Sequence, residues 1–236
     1  AHSEQEARQA VALINVEYDV LEPVTDMHEA LKEDSPAVHE GGNVLSKSIT
    51  SRGDLEQTKA EAAYVSHGVY QTQMIEHGFM EPEAAVAYPA ESGNGIELLS
   101  QSQGVFEDRI QVAKLLGIPQ EDVRVIMVPN GGGFGGKEDL SVQGHASVAA
   151  YILRKPVKFR LTRDESIMMH PKRHPIQMEY TIGCDADGKL TFCKGRFVGD
   201  TGAYASVGMK VLERSAGHAT GAYHFPVVDI ESTAVY

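Results

Sequence analysis

The chain has 236 residues, 42% of them apolar and 23% charged, an ordinary balance for a globular protein with a sizeable core. Thirty-three acidic against 21 basic residues give a net charge of −12; with no evident basic patch, this argues against a nucleic-acid partner. No apolar run approaches the roughly 18 residues of a membrane-spanning helix, and Ala1–Asp19 lacks the pattern of a signal peptide.

Ser3–Ile14 reads as a helix, and Asn15–Leu21 as a strand, because Val16, Tyr18 and Val20 alternate with polar neighbours. Asp26–Leu31 reads as a short helix opened by an Asp cap. Lys32–Asp54 is polar and rich in Gly and Ser, as in a linker, and the acidic run Glu29–Glu40 as a solvated face. From Gly95 the rhythm is clear. Ile96–Ser100 is a strand. Val105–Leu116 is a helix with Phe106, Ile110 and Ala113 at helical spacing, ended by Gly117. Val123–Val128 is a strand, Leu140–Leu153 a helix and Val157–Thr162 a strand. This β-α-β-α-β order predicts an open, mixed α/β sheet layer with ligands at the carboxyl ends of its strands. Ile176–Cys184 and Lys189–Val198 add an antiparallel hairpin around Asp185-Ala186-Asp187-Gly188.

Cys184 and Cys193 are the two cysteines. A turn centred on Asp187-Gly188 sets Cys184 opposite Thr191, so register disfavours a disulfide, and a reduced cytoplasmic setting is expected. Two cysteines are also too few for an iron–sulfur cluster, which takes about four ligands.

The most informative stretch is Pro129-Asn130-Gly131-Gly132-Gly133-Phe134-Gly135-Gly136-Lys137-Glu138-Asp139. A strand that feeds a glycine-rich turn ahead of a helix aims backbone N–H groups at one spot, which suits an anion or another acceptor oxygen. The spacing fits most of a P-loop, but Glu138 stands where a Ser or Thr hydroxyl should hold magnesium. It also fits a dinucleotide fingerprint, yet the following strand is basic, with Lys158 and Arg160, where an acidic residue is needed. Gln103 follows the first strand as this loop follows the second, so a side-chain amide and a row of N–H groups converge if the strands are neighbours. Phe134 is either a core plug or the wall of a flat ligand site. Glu138 is expected in the first turn of the helix, either complementing its dipole or facing a substrate. His77 and Glu81 are too few for a metal site, and His170 and His174 read as surface residues.

The Gly131–Glu138 run resembles the signature of the molybdenum hydroxylases, the xanthine dehydrogenase and aldehyde oxidase family. Further stretches resemble it in the same order: His77-Gly78-Phe79-Met80-Glu81-Pro82, Ser100-Gln101-Ser102-Gln103 with the helix ending Val112-Ala113-Lys114-Leu115-Leu116-Gly117, Arg163-Asp164-Glu165, Arg173-His174-Pro175, and Gly199-Asp200-Thr201-Gly202-Ala203-Tyr204.

The resemblance implies three regions: residues 1–33 as the tail of a small hammerhead-like domain, 34–54 as a linker, and 55–236 as the first part of a molybdopterin-binding domain. It implies Gln103, Phe134 and Gly135 as cofactor contacts, with Gln103 and Phe134 nearest the molybdenum, and Glu138 as a substrate contact. Glutamate at that place resembles the xanthine dehydrogenase branch, which points to a purine or related N-heterocycle hydroxylated with water as oxygen source. The cofactor would be molybdopterin, in its simple or cytosine dinucleotide form. Electrons would leave through 2Fe-2S clusters to FAD on other domains or subunits. No residue here is expected to be the catalytic base, which the family places further along its chain, so the piece by itself is expected to be inactive. The alternatives are an aldehyde or other heterocycle oxidoreductase of the same family and a non-catalytic binding module.

Overall fold

The computed structural model describes residues 1–91 and 93–236. In chain order the elements are α1 (Glu4–Val11), β1 (Val44–Arg52), α2 (Leu55–Glu61), β2 (Tyr64–Gln71), β3 (Ala84–Pro89), β4 (Ile96–Ser100), α3 (Val105–Leu116), β5 (Val123–Met127), α4 (Val142–Leu153), β6 (Val157–Arg160), α5 (Arg163–Met169), β7 (Ile176–Cys184), β8 (Leu190–Asp200), α6 (Gly208–Gly217) and β9 (Val227–Val235). They form two open mixed sheets, β5-β4-β3-β6 and β1-β9-β8-β7-β2. The mixed α/β class read from the sequence is the class observed.

The smaller sheet carries the predicted β-α-β-α-β run. β4 and β5 are parallel, and β3 runs against both β4 and β6. The three strands of the run therefore share one direction, and β3, which the periodicity did not reveal, is inserted between two of them. Ile96 and Leu98 are wholly buried and alternate with half-buried neighbours, the period-2 pattern of a strand with one covered face. Over that face pack Val112 and Ala113 of α3 and Val142, Ala146 and Ala150 of α4. Cutting Leu98 back to Ala at such a site costs about 2–5 kcal/mol. The buried face of α3 is Asp108, Val112 and Ala113, whereas Phe106 is 78% exposed and Ile110 is also exposed. Of the three residues at helical spacing, Ala113 lies on the buried face and Phe106 and Ile110 do not. Gly117, at φ 66°, ends it in the left-handed cap.

Three expectations in the N-terminal part are corrected. Asn15–Leu21 forms no strand: Val16, Tyr18 and Val20 are all exposed. Alternation does not supply the ladder partners that strand backbone requires. At Asp26 the cap forms without its helix. Its Oδ1 accepts from the N–H groups of His28 (2.8 Å) and Glu29 (3.0 Å), and only turns follow. Met27 and Ala30 are instead buried against Val235. Within the polar stretch expected as a linker, Val44–Arg52 is β1, paired antiparallel along β9. Its polar residues suit an edge strand, where one side needs no packing partner.

The predicted hairpin is β7–β8, with a register shift between Gly183 and Cys184. Cys184 therefore faces Leu190 rather than Thr191, and Cys193 faces Ile182. Both are free thiols, and burial pushes Cys193 up to about 11.

Candidate functional site

Ser100 ends β4, Met127 ends β5, and the two are register partners. The two chain segments that leave these strands thus start from the same edge of the sheet. From the first comes Gln103, and from the second the glycine-rich turn. Gln103 N donates to the Lys137 carbonyl at 2.9 Å. Its side-chain Oε1 accepts from the N–H groups of Gly135 (2.9 Å) and Lys137 (3.2 Å). Only a carbonyl oxygen can accept twice in this way, which fixes the amide orientation. The Nε2 donor is left pointing at Glu138, with Oε1 of the carboxylate 3.4 Å away, the long limit of a hydrogen bond. The convergence expected of Gln103 with Phe134-Gly135 is thus a direct contact.

The turn owes its shape to backbone conformations that glycine tolerates. Gly132 and Gly135 have φ of 97° and 93°, and Phe134 between them has φ 54°. A bulky residue held there costs on the order of 1–3 kcal/mol. The result is a ring 70% exposed, which rules out the core plug. At Gly133 an added Cβ would stand 2.8 Å from Gln103 Cδ, so only glycine lets the amide lie against the turn.

Glu138 is half-buried and lies four residues before Val142, outside α4. The expectation that it occupies the first helical turn is corrected. Gln103 accepts from the N–H groups of Gly135 and Lys137, and α4 begins at Val142.

Lys137 is only 3% exposed and points inward. Its Nζ donates to the Glu81 carbonyl at 2.7 Å and sits 4.7 Å above the centre of the Phe79 ring. A lysine so placed cannot reach a phosphate, which disposes of the P-loop alternative. Burial holds its pKa below the ordinary lysine value, against the opposing charges of Glu81 and Glu83. Glu81 Oε2 in turn accepts from Gly131 N at 2.8 Å.

Beneath the site lies a polar knot that sequence reading missed. Ser100 Oγ donates to Asp108 at 2.8 Å and accepts from Gln143 Nε2 and Ser102 N, each at 3.2 Å. Burial raises the pKa of Asp108 above the usual carboxylate value, opposed by hydrogen bonds from Ser102 and Ser100. A single aspartate among the apolar positions of a helix was the one available signal. His170 was also misplaced at the surface. It is 3% exposed, with Nε2 2.9 Å from Glu76 and Nδ1 3.5 Å from the buried Glu83. Neither Glu83 oxygen has a directed hydrogen-bond partner. His174 is half-buried and lines a cavity of about 820 Å³ with Asp139, Arg173, Asp200 and Tyr204. Gln103, Phe134 and Glu138 do not line that cavity. Among the described residues no three His, Cys, Asp or Glu side chains gather as metal ligands.

A molybdopterin cofactor-binding domain model matches residues 38–236. The chain belongs to the molybdopterin cofactor-binding domain family. The nicotinate dehydrogenase large molybdopterin subunit of Eubacterium barkeri is 38% identical over 97% of the chain, and a probable xanthine dehydrogenase subunit of Bacillus subtilis 36% over all of it. The chain spans 54% and 32% of those two proteins. Among solved structures, the aldehyde oxidoreductase of Desulfovibrio gigas superposes with a TM-score of 0.94 at 26% identity. Quinoline 2-oxidoreductase of Pseudomonas putida superposes with 0.86 at 29%. The chain is covered completely in both and spans 26% and 30% of them.

The site geometry of this molybdopterin-binding domain suits the group that the family name implies. An exposed aromatic ring beside an amide whose NH2 has one long contact gives the site a flat face and a side-chain donor, while the N–H groups of Gly131, Gly132, Gly135, Gly136 and Lys137 are taken up within the protein.

Proposed function

We propose that this chain is the cofactor-facing part of a molybdenum hydroxylase subunit acting on a purine or related N-heterocycle. One observation supports the reading: Gln103, held by two backbone N–H groups, presents an NH2 whose contact with Glu138 is a long 3.4 Å. Gln103, Phe134 and Gly135 would hold the molybdopterin-borne metal centre, with Gln103 and Phe134 nearest the metal. When bound, that group supplies two-electron oxidation with water as the oxygen source. Gln103 donates a hydrogen bond to an acceptor oxygen from a preset direction. Phe134 screens one side from water. Glu138 accepts from a ring N–H of the substrate and orients the heterocycle. The carboxylate that does this is half-buried and borders the amide, so its bond to a ligand is a partly desolvated, charge-assisted one, worth about 1.5–3 kcal/mol.

The remainder of the subunit, with 2Fe-2S and FAD domains or subunits, would complete the enzyme, in a reduced, cytoplasmic setting. Residues 1–33 would be the tail of a hammerhead-like neighbour, and the cofactor domain proper would include β1, which pairs along β9. Among the described residues no helix is long and apolar enough to cross a membrane.

The test is steady-state kinetics of the full-length protein with a purine and with a simple aldehyde. Glu138→Ala should lower kcat/KM roughly 10- to 150-fold for the purine, and by less than about fivefold for the aldehyde, which offers the carboxylate no ring N–H. Equal losses for the two substrates would refute the substrate role.

A further inference from the structure

The glycine-rich turn carries the site, yet glycine is the residue least able to hold a fixed conformation by itself. Something must hold the turn in place. The N-terminal part of the loop is pinned by Glu81, whose carboxylate accepts from Gly131 N at 2.8 Å, while Met80 N donates to the Gly131 carbonyl at 3.2 Å. The other end is pinned by Lys137. Its backbone N–H reaches Gln103 Oε1, its carbonyl accepts from Gln103 N, and its ammonium reaches the Glu81 carbonyl. Lys137 thus ties Gln103, the turn and the Phe79–Glu81 segment into one unit. The segment is itself braced, because Arg163 Nη2 donates to the carbonyls of Phe79 (2.8 Å) and Met80 (2.7 Å).

The chemistry of Lys137 is out of the ordinary. It is nearly fully buried, and no carboxylate lies within salt-bridge distance of its Nζ among the described residues. Its direct contacts are a carbonyl and the face of an aromatic ring, while the charges of Glu81 and Glu83 act on it from beyond salt-bridge distance. Buried lysines are uncommon because desolvating the ammonium is costly. A hydrophobic side chain would fill the same space without that cost, but it would not hold Glu81 and the turn together.

We propose that Lys137 is a positioning residue: its buried ammonium clamps the turn to the Phe79–Glu81 segment and thereby keeps Gly135 N and Lys137 N aligned on Gln103 Oε1. The consequence is directional. With Oε1 occupied, the Gln103 amide cannot flip, and Nε2 stays the group presented to a ligand. Without the clamp the turn loosens, Oε1 is freed, and the amide samples both orientations. The inference rests on the reading of Gln103 as a cofactor contact for its catalytic consequence, but the clamp itself does not.

The experiment compares full-length wild-type protein with Lys137→Met, which keeps the length of the side chain and removes its donors. Backbone hydrogen exchange is read over residues 129–138, and kcat is expressed per bound molybdenum. Exchange across the turn should rise about tenfold or more while the core of α3 and α4 is unchanged. Misaligning a positioned group by about 1 Å can cost up to about 100-fold in rate, so kcat per molybdenum should fall at least tenfold with KM within about twofold. Unchanged exchange at the turn overturns the clamp, and unchanged kcat per molybdenum with faster exchange overturns the positioning role. Gln103→Ala is run in parallel. If it leaves kcat per molybdenum intact, the cofactor reading of Gln103 has failed, and exchange alone decides the clamp. If Lys137→Met does not fold, Lys137→Leu, which is shorter and also lacks donors, carries the same test, and wild-type exchange in that variant overturns the inference.

Discussion

Gln103 Oε1 and Gly135 N meet at 2.9 Å across 32 residues of sequence. The bond joins the segment after β4 to the turn after β5, and both leave the same edge of a parallel strand pair. Its strength is that of an ordinary hydrogen bond, about 1 kcal/mol net. Its importance lies in the choice it forces on the rest of the amide.

Gln103→Glu separates the two ends of that side chain. The carboxylate still accepts from Gly135 N and Lys137 N, so the turn should hold and the urea midpoint should change little. The NH2 donor is lost, and a negative charge now faces Glu138 and the ligand. Turnover of the full-length enzyme should fall by about tenfold or more, the cost of one lost bond to a charged or strongly polar acceptor. A variant with full activity would show that the donor is not used.

Gly133→Ala probes the close approach directly. Its Cβ would press on Gln103 Cδ at 2.8 Å, and relief requires moving either the amide or the turn. The expected loss is about 1–3 kcal/mol in urea unfolding, as for other overpacked sites, together with a fall in turnover. Wild-type stability in this variant would mean that the turn is slack.

His170 should make stability depend on pH. Burial, reinforced by Lys172, lowers its pKa from 6.5, while Glu83 and Glu76 act in the opposite sense. The unfolded chain then binds a proton more readily than the folded one between the lowered value and 6.5. Stability contributed by neutral His170 is present above 6.5 and is lost as the pH falls through that window. Urea midpoints at about pH 7.5 and about pH 5.5 should differ more for wild type than for His170→Gln. The groups facing the ring are Glu76, Glu83, Ser166 and His77, with Lys172 donating to the His170 carbonyl. An unaltered pH difference in the variant would assign the slope to one of them.

Cys193 should resist thiol reagents in the native state. It is 1% exposed, and its pKa is raised to about 11 by burial, so the reactive thiolate is scarce near neutrality. Peptide mapping after alkylation at about pH 8 should find it unmodified until denaturant is added. Rapid modification of Cys193 in native protein would show that β8 opens locally.

The amino-acid sequence by itself determined the mixed α/β class, the alternation of β4, α3, β5, α4 and β6, and the glycine-rich turn between β5 and α4. These are local facts. Periodicity follows from backbone geometry, and a run of glycines marks backbone freedom wherever it occurs. Gln103 and the turn were paired by a topological argument, and the parallel register of β4 and β5 makes that argument physical. Only the tertiary structure decided what depends on partners distant in sequence. Val44–Arg52 is a strand because β9 is there to receive it, and Asn15–Leu21 is not one because it has no ladder partner. β3 lies between β4 and β6, an insertion that sequence order conceals. Glu138 falls outside α4, which begins only at Val142. Lys137 and His170 carry charge-capable side chains that composition assigns to the surface, and only packing around Phe79 brings them inside. Burial is a property of the assembled fold, so the residues whose chemistry depends on burial were the ones the sequence could not place.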